Sequence, residues 1–264
     1  MNTDWIAPQW NAPARVRAIS TTRSGGFSAA PWNSMNLGAT CGDEVSAVLR
    51  NRALLRSYLP ADPVWLRQEH GTGVFCHPAT GIAAPASAPI SAPISALAAA
   101  EIVADAQLAT RPGQVCAVLS ADCLPGLLCN RAGTRVAAAH AGWRGLLAGV
   151  LEQTVQSLGC PPDTLLAWLG PAIGPDAFVV GDEVRAAFVP GNEGGNEEAS
   201  MAFAPHGERW LCDLYALARQ RLARAGIGEI SGGGYCTYHE SERFFSYRRD
   251  KVTGRMATLV WLES

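Results

Sequence analysis

His70, Cys123 and His140 are the residues of this chain whose types and settings point most directly to chemistry. His70 stands in "QEHG", Cys123 in "ADCLP" and His140 in "AAAHAGWRG", where an apolar run gives way to Ala-Gly. Two imidazoles and a thiolate make a three-ligand zinc set, with the fourth position open for water or substrate. Zinc in such a set lowers the pKa of its bound water toward ~7. The same residues support a second reading, in which Cys123 is a thiolate nucleophile and His140 its base. Taken singly, each is also an ordinary core cysteine or hydrogen-bonded strand end.

Arginines supply the complementary chemistry. Arg144 follows Gly142-Trp143 at what reads as a helix start, where free N–H groups and the helix dipole favour an anion. Arg23 and Asn36, in "TTRSGGFSAAPWNSMNLG", and Arg248 with Arg249, in "FFSYRRD", extend the candidate phosphate or substrate contacts. Adjacent arginines on a strand point to opposite faces, so one of the pair would face a site. Cys236-Thr-Tyr-His239 has metal-like spacing without a second pair, and "GGGYCTYH" lacks the lysine and following helix of a phosphate loop.

Positioning these groups is the task of the elements around them. "VRAIST" reads as an early strand, and Asp43 as the cap of a helix with apolar positions from Val45 to Tyr58. "VWLRQEHG" reads as a strand ending at His70. "VCAVLS", "GLLCN" and "RVAAAH" read as three buried strands. If the last two form a hairpin, His140 returns beside the loop holding Cys123. "RGLLAGVLEQTVQSLG" reads as one helix stopped by Gly159, and "WLCDLYALARQRLARAG" as an amphipathic helix closed by Gly226. Residues 78–100, an Ala/Pro/Ser tract, read as an exposed, poorly ordered loop, and "GNEGGNEEAS" as a second flexible insertion. Strands and helices mix without strict alternation, which favours an α+β sandwich over a doubly wound sheet.

Composition bounds the function. The 264 residues carry a formal net charge of −2, which argues against a nucleic-acid binder. Only Lys251 among the 21 basic residues is a lysine. No apolar run is long enough for a membrane span, and the N-terminus does not read as a signal peptide. The eight cysteines contain no CxxC pair and sit mostly in apolar stretches, as reduced cytoplasmic thiols do.

Motifs from end to end resemble the YfiH/LACC1 family, also known as DUF152, multicopper polyphenol oxidoreductases or peptidoglycan editing factors. They include "TTRSGGFSAAPWNSMNLG", "QEHGTGV", "ADAQLAT", "SADCLPGLL", "HAGWRGLLAGVL", "LGPAIGP", "CDLYALARQRL" and "FFSYRRD". The resemblance implies one α+β domain over residues 1–264, a four-layer αββα sandwich with mixed sheets. It implies zinc on His70, Cys123 and His140, with copper the less favoured metal. The implied activities are phosphorolysis of adenosine, inosine, guanosine or methylthioadenosine, and deamination of adenosine. Purine nucleosides and phosphate are then the expected partners. A several-copper oxidase would need more than the five histidines present. Two alternatives stand: a cysteine hydrolase editing cell-wall precursors through Cys123, and a non-catalytic metal- or partner-binding protein with a closed, four-ligand site.

Overall fold

Alternation along a strand decides which side is buried, and the central strands of this chain are buried on both. The computed structural model describes residues 4–78, 102–189 and 197–264. The first half contains β1 (Val16–Ser20), α1 (Val45–Arg56), β2 (Leu66–Arg67), β3 (Val74–Cys76), β4 (Ile102–Val103), β5 (Ala106–Ala109) and β6 (Val115–Ser120). The middle contains β7 (Leu124–Asn130), β8 (Val136–Ala141), α2 (Trp143–Ala148), α3 (Val150–Leu158), β9 (Leu165–Leu169) and β10 (Val179–Val180). Then come α4 (Asp182–Phe188), α5 (Glu197–Ser200), β11 (Phe203–His206), β12 (Arg209–Cys212) and α6 (Leu214–Arg224). The chain closes with β13 (Glu229–Gly232), α7 (Tyr247–Asp250) and β14 (Met256–Leu262).

Two sheets dominate. The larger, mixed sheet has the order β13-β9-β7-β8-β5-β3, and the smaller, antiparallel one β1-β14-β6. Their side chains sort by parity. From β14, Met256, Val260 and Leu262 enter the core between the sheets, where they meet Val136 and Ala138 of β8 and Leu166 and Trp168 of β9. Ala257, Leu259 and Trp261 turn the other way, onto Leu55 of α1. On the far side of the large sheet, Ala137 and Ala139 pack with Leu146, Leu151 and Leu217 from α2, α3 and α6. The result is helix, sheet, sheet, helix, the expected αββα sandwich. Each fully buried leucine in these layers contributes ~1.5–3 kcal/mol.

Several local expectations change. The helix read over 144–158 is two helices, because Gly149 at φ 99 stops α2 in the left-handed conformation before α3 begins. Asp43 does not cap α1 at its N2 or N3 amide; its carboxylate accepts from Ser28 Oγ and from Asn36 Nδ2 at 2.9 Å. "WLC" belongs to β12, and α6 starts at Leu214 with Asp213 accepting from the Ala216 amide at 2.9 Å. The strand read through His70 ends at Arg67, and Arg248 and Arg249 lie on the short helix α7 rather than on a strand. Apart from Pro78, the Ala/Pro/Ser tract lies outside the described residues, as does the start of "GNEGGNEEAS", whose last four residues form α5.

Candidate metal centre and its cavity

The hairpin of β7 and β8 places two of the three donors. Leu124 pairs with Ala141 and Pro125 with His140, so Cys123, just before β7, lies beside the end of β8. His70 arrives from a different direction. Its backbone sits at φ 61, a conformation few non-glycine residues adopt. The side chain of Asp105 holds it there. One Asp105 oxygen accepts the His70 amide at 3.0 Å, and the other accepts those of Gly71 at 2.7 Å and Glu69 at 3.2 Å. The first oxygen also meets His140 Nδ1 at 2.9 Å. One buried carboxylate thus fixes the His70 turn and orients the His140 ring.

The ligand atoms of His70, Cys123 and His140 lie within 4.8 Å of one another. Cys123 Sγ is 3.5 Å from His70 Nε2, and the two imidazole rings stand 4.8 Å apart at 70°. Burial opposes charge on Cys123, but the charge of His140 and hydrogen bonds from His140 and His70 outweigh it, bringing the thiol down to about 6. His140 moves up to about 9: burial disfavours its charge, and the Cys123 thiolate and Asp105 more than compensate. Without metal the two form a thiolate–imidazolium pair. The donor set fits zinc: a ready thiolate, two imidazoles, and an Asp105 bond on Nδ1 of His140 that leaves Nε2 for the ion. Gly142 keeps the space clear, since a Cβ there would lie 2.6 Å from His70 Cδ2 and 2.8 Å from Cys123 Sγ.

The three donors open into a cavity of about 670 Å³. Arg144 lines it, exposed, with its guanidinium 4.3 Å from the Trp143 ring centroid. Arg248 also lines it, donating to the Val179 carbonyl at 2.7 Å and lying over Phe178. Asp122, at φ 100, anchors this wall by accepting from the Arg248 amide at 2.6 Å and the Thr237 hydroxyl at 2.6 Å.

The other candidates are elsewhere. Arg249 is committed to the carbonyls of Thr237, Tyr238 and Phe244. Arg23 spends its guanidinium on the Asn33 and Ser241 carbonyls and is not among the cavity-lining residues. Asn36 is fully buried, accepting from the Gly38 and Arg255 amides and donating to Asp43. Both hold backbone, because their partners are nearer than the cavity. Sequence reading gave no role to Asp105, Asp122, Lys251 or Arg255. For Asp105 a signal exists: it is the single acid in the otherwise uncharged run Ile102–Ala109.

Fold and site together define a class, an α+β sandwich with a His-Cys-His centre opening into a cationic cavity. Residues 17–263 match the family model described as multi-copper polyphenol oxidoreductase laccase. The chain belongs to this family, the YfiH/DUF152 proteins. Purine nucleoside phosphorylase YfiH of Escherichia coli K12 is 52% identical over 259 residues, covering 97% of this chain and 98% of that protein. A purine nucleoside phosphorylase of Pseudomonas aeruginosa is 51% identical and covers 98% of both chains. The crystal structure of a DUF152 protein from Neisseria meningitidis superposes with a TM-score of 0.86 at 42% identity, covering 99% of this chain and 100% of that one. No helix among the described residues is long and apolar enough to cross a membrane.

Proposed function

We propose that the protein is a zinc-dependent purine nucleoside phosphorylase, with adenosine, inosine, guanosine and methylthioadenosine as substrates and adenosine deamination as a second activity. The observation that carries this reading is Arg144. Its side chain has no hydrogen-bond or ion-pair partner among the described residues, and it lines the same cavity as the three metal donors. An unsatisfied guanidinium in a walled cavity suits a phosphate, which accepts two parallel N–H bonds from it. Arg248, with part of its guanidinium still free, supplies a second contact. Trp143 and Phe178 line the same cavity, and their rings carry the Arg144 and Arg248 guanidinium groups.

Zinc on His70, Cys123 and His140 would supply Lewis acidity to a water or substrate oxygen. The chain itself orients phosphate through Arg144, holds the His140 ring through Asp105, and keeps His70 at the cavity floor. The names of the relatives support nucleoside phosphorolysis. Against several coppers stand the five histidines, three of them outside the centre, and the one three-donor group among the described residues. A non-catalytic site would call for a fourth ligand, and the group has three. All eight cysteines stand unpaired, which supports a cytoplasmic setting.

The test is an assay of purified, zinc-loaded protein on a nucleoside panel with and without phosphate. Free base and ribose 1-phosphate are expected, and only with phosphate. Arg144→Ala should raise KM for phosphate while adenosine deamination changes little. Free ribose in place of ribose 1-phosphate overturns the assignment. A second reading follows from the coupling of Cys123 and His140, which favours the thiolate of one and the charge of the other, as in a cysteine hydrolase. That reading requires a covalent acyl adduct on Cys123 after incubation with a peptidoglycan precursor.

A further inference from the structure

The cavity carries more positive charge than one phosphate requires. Arg67, Arg144, Arg248, Lys251 and Arg255 line it, with Asp122 the one carboxylate among the lining residues, although the whole chain is net negative. Their partners separate these cations. Arg67 pairs with Glu69 at 3.1 Å, Arg248 donates to Val179, and Arg255 donates to the Thr253 and Gly254 carbonyls. The side chains of Arg144 and Lys251 make only ring contacts among the described residues, on Trp143 at 4.3 Å and on Tyr247 at 5.8 Å. They belong to different elements. Arg144 lies in the first turn of α2 beside the metal donors. Lys251 caps the end of α7 and shares the Tyr247 ring with Arg255, 5.8 and 6.0 Å from its centroid, and the Arg255 stem covers Gly38.

Lys251 is further marked by its backbone. It holds φ 62, where glycine would sit at lower energy, yet the position carries the chain's only lysine.

We infer that Lys251 and Arg255 form a second anion subsite, distinct from the acceptor pole at Arg144, and that the cavity takes purine nucleosides bearing a 5′-phosphate. The inference rests on the phosphorylase reading for the nucleoside itself. A ligand whose C1′ faces the phosphate at Arg144 has its reacting carbon and ring hydroxyls committed there. Its 5′-carbon is the flexible arm able to carry a second anion to another wall. A cavity of about 670 Å³ has room for both.

The experiment is calorimetric titration of zinc-loaded protein, in phosphate-free buffer, with adenosine and with adenosine 5′-monophosphate. The monophosphate is expected to bind at least roughly tenfold more tightly, the scale of one charge-assisted contact. Lys251→Gly suits the backbone at φ 62, so the variant should melt no lower than wild type while losing the preference. Lys251→Arg should keep the preference, and so should Arg144→Ala. Equal binding of the two ligands by wild type overturns the inference. So does a preference that survives Lys251→Gly, or one that follows Arg144, which would put the 5′-phosphate on the acceptor pole. The phosphorolysis assay is separate: absence of ribose 1-phosphate alongside a Lys251-dependent preference defeats the phosphorylase reading and leaves the subsite standing.

Discussion

Replacing Asp105 by asparagine tests whether one carboxylate organises the metal centre. Asp105 is 2% exposed and accepts four donors, two on each oxygen: the His70 amide and His140 Nδ1 on one, the Glu69 and Gly71 amides on the other. An amide keeps one acceptor oxygen and presents NH₂ groups where the other accepted, so two of the four contacts are lost in either orientation. Each part-buried donor left unsatisfied costs ~1–3 kcal/mol, which makes about 2–6 kcal/mol for the pair. At ~2–4 °C per kcal/mol for a chain of about this size, melting of the metal-free protein should fall by roughly 4–24 °C. Zinc affinity should fall ~10–100-fold, since either the His70 turn or the His140 ring loses its anchor. Calorimetric melting after chelation gives the first quantity, and competition with a chromophoric chelator gives the second. If Asp105→Asn melts within a degree of wild type and binds zinc as tightly, the carboxylate is not the organiser and the argument fails.

Three further outcomes are expected. Gly142→Ala suits its backbone, at φ −63 and ψ 158, but its Cβ would displace His70 and Cys123; mass spectrometry should find a folded protein well below one zinc per chain, and full occupancy would contradict the geometry. In chelated protein, alkylation of Cys123 by iodoacetamide should rise through pH about 6 and level off, while Cys129 and Cys212, pushed by burial to about 12, stay unmodified at pH 7; peptide mapping reads both, and a Cys123 inert at pH 7 refutes the thiolate. His77 is held neutral, burial lowering its pKa from 6.5 against a hydrogen bond with Gln107. Below ~6.5 the unfolded chain therefore takes a proton that the folded one refuses, and stability falls as pH falls. His77→Gln should flatten that slope between pH 7 and 5 in denaturant titrations; an unchanged slope removes His77 as its cause.

Some of this architecture is written locally. Strict alternation in "VAAAH" sends Val136 and Ala138 to one core and Ala137 and Ala139 to the other, so the strand's burial is legible without a partner. The short turn after β7 makes the hairpin, and the hairpin brings Cys123 to His140. Gly159 and Gly226 end their helices because each takes a left-handed φ that other residues avoid. What periodicity does not carry is which distant group completes a site. His70 looked like the end of a strand, yet its turn exists because a carboxylate 35 positions away gathers three amides. Adjacent Arg248 and Arg249 read as strand residues with opposite faces, and they form a helix instead. The Asp122 side chain, accepting the Arg248 amide, helps settle the helix, and with it which arginine faces the cavity. Asn36 and Arg23 have the chemistry of ligand contacts, but nearby backbone groups claim them first. Residue type and spacing set the inventory of donors and charges. Which of them remain free for a ligand was decided only when long-range packing had satisfied the rest, because a buried polar group takes whatever partner the fold brings within reach.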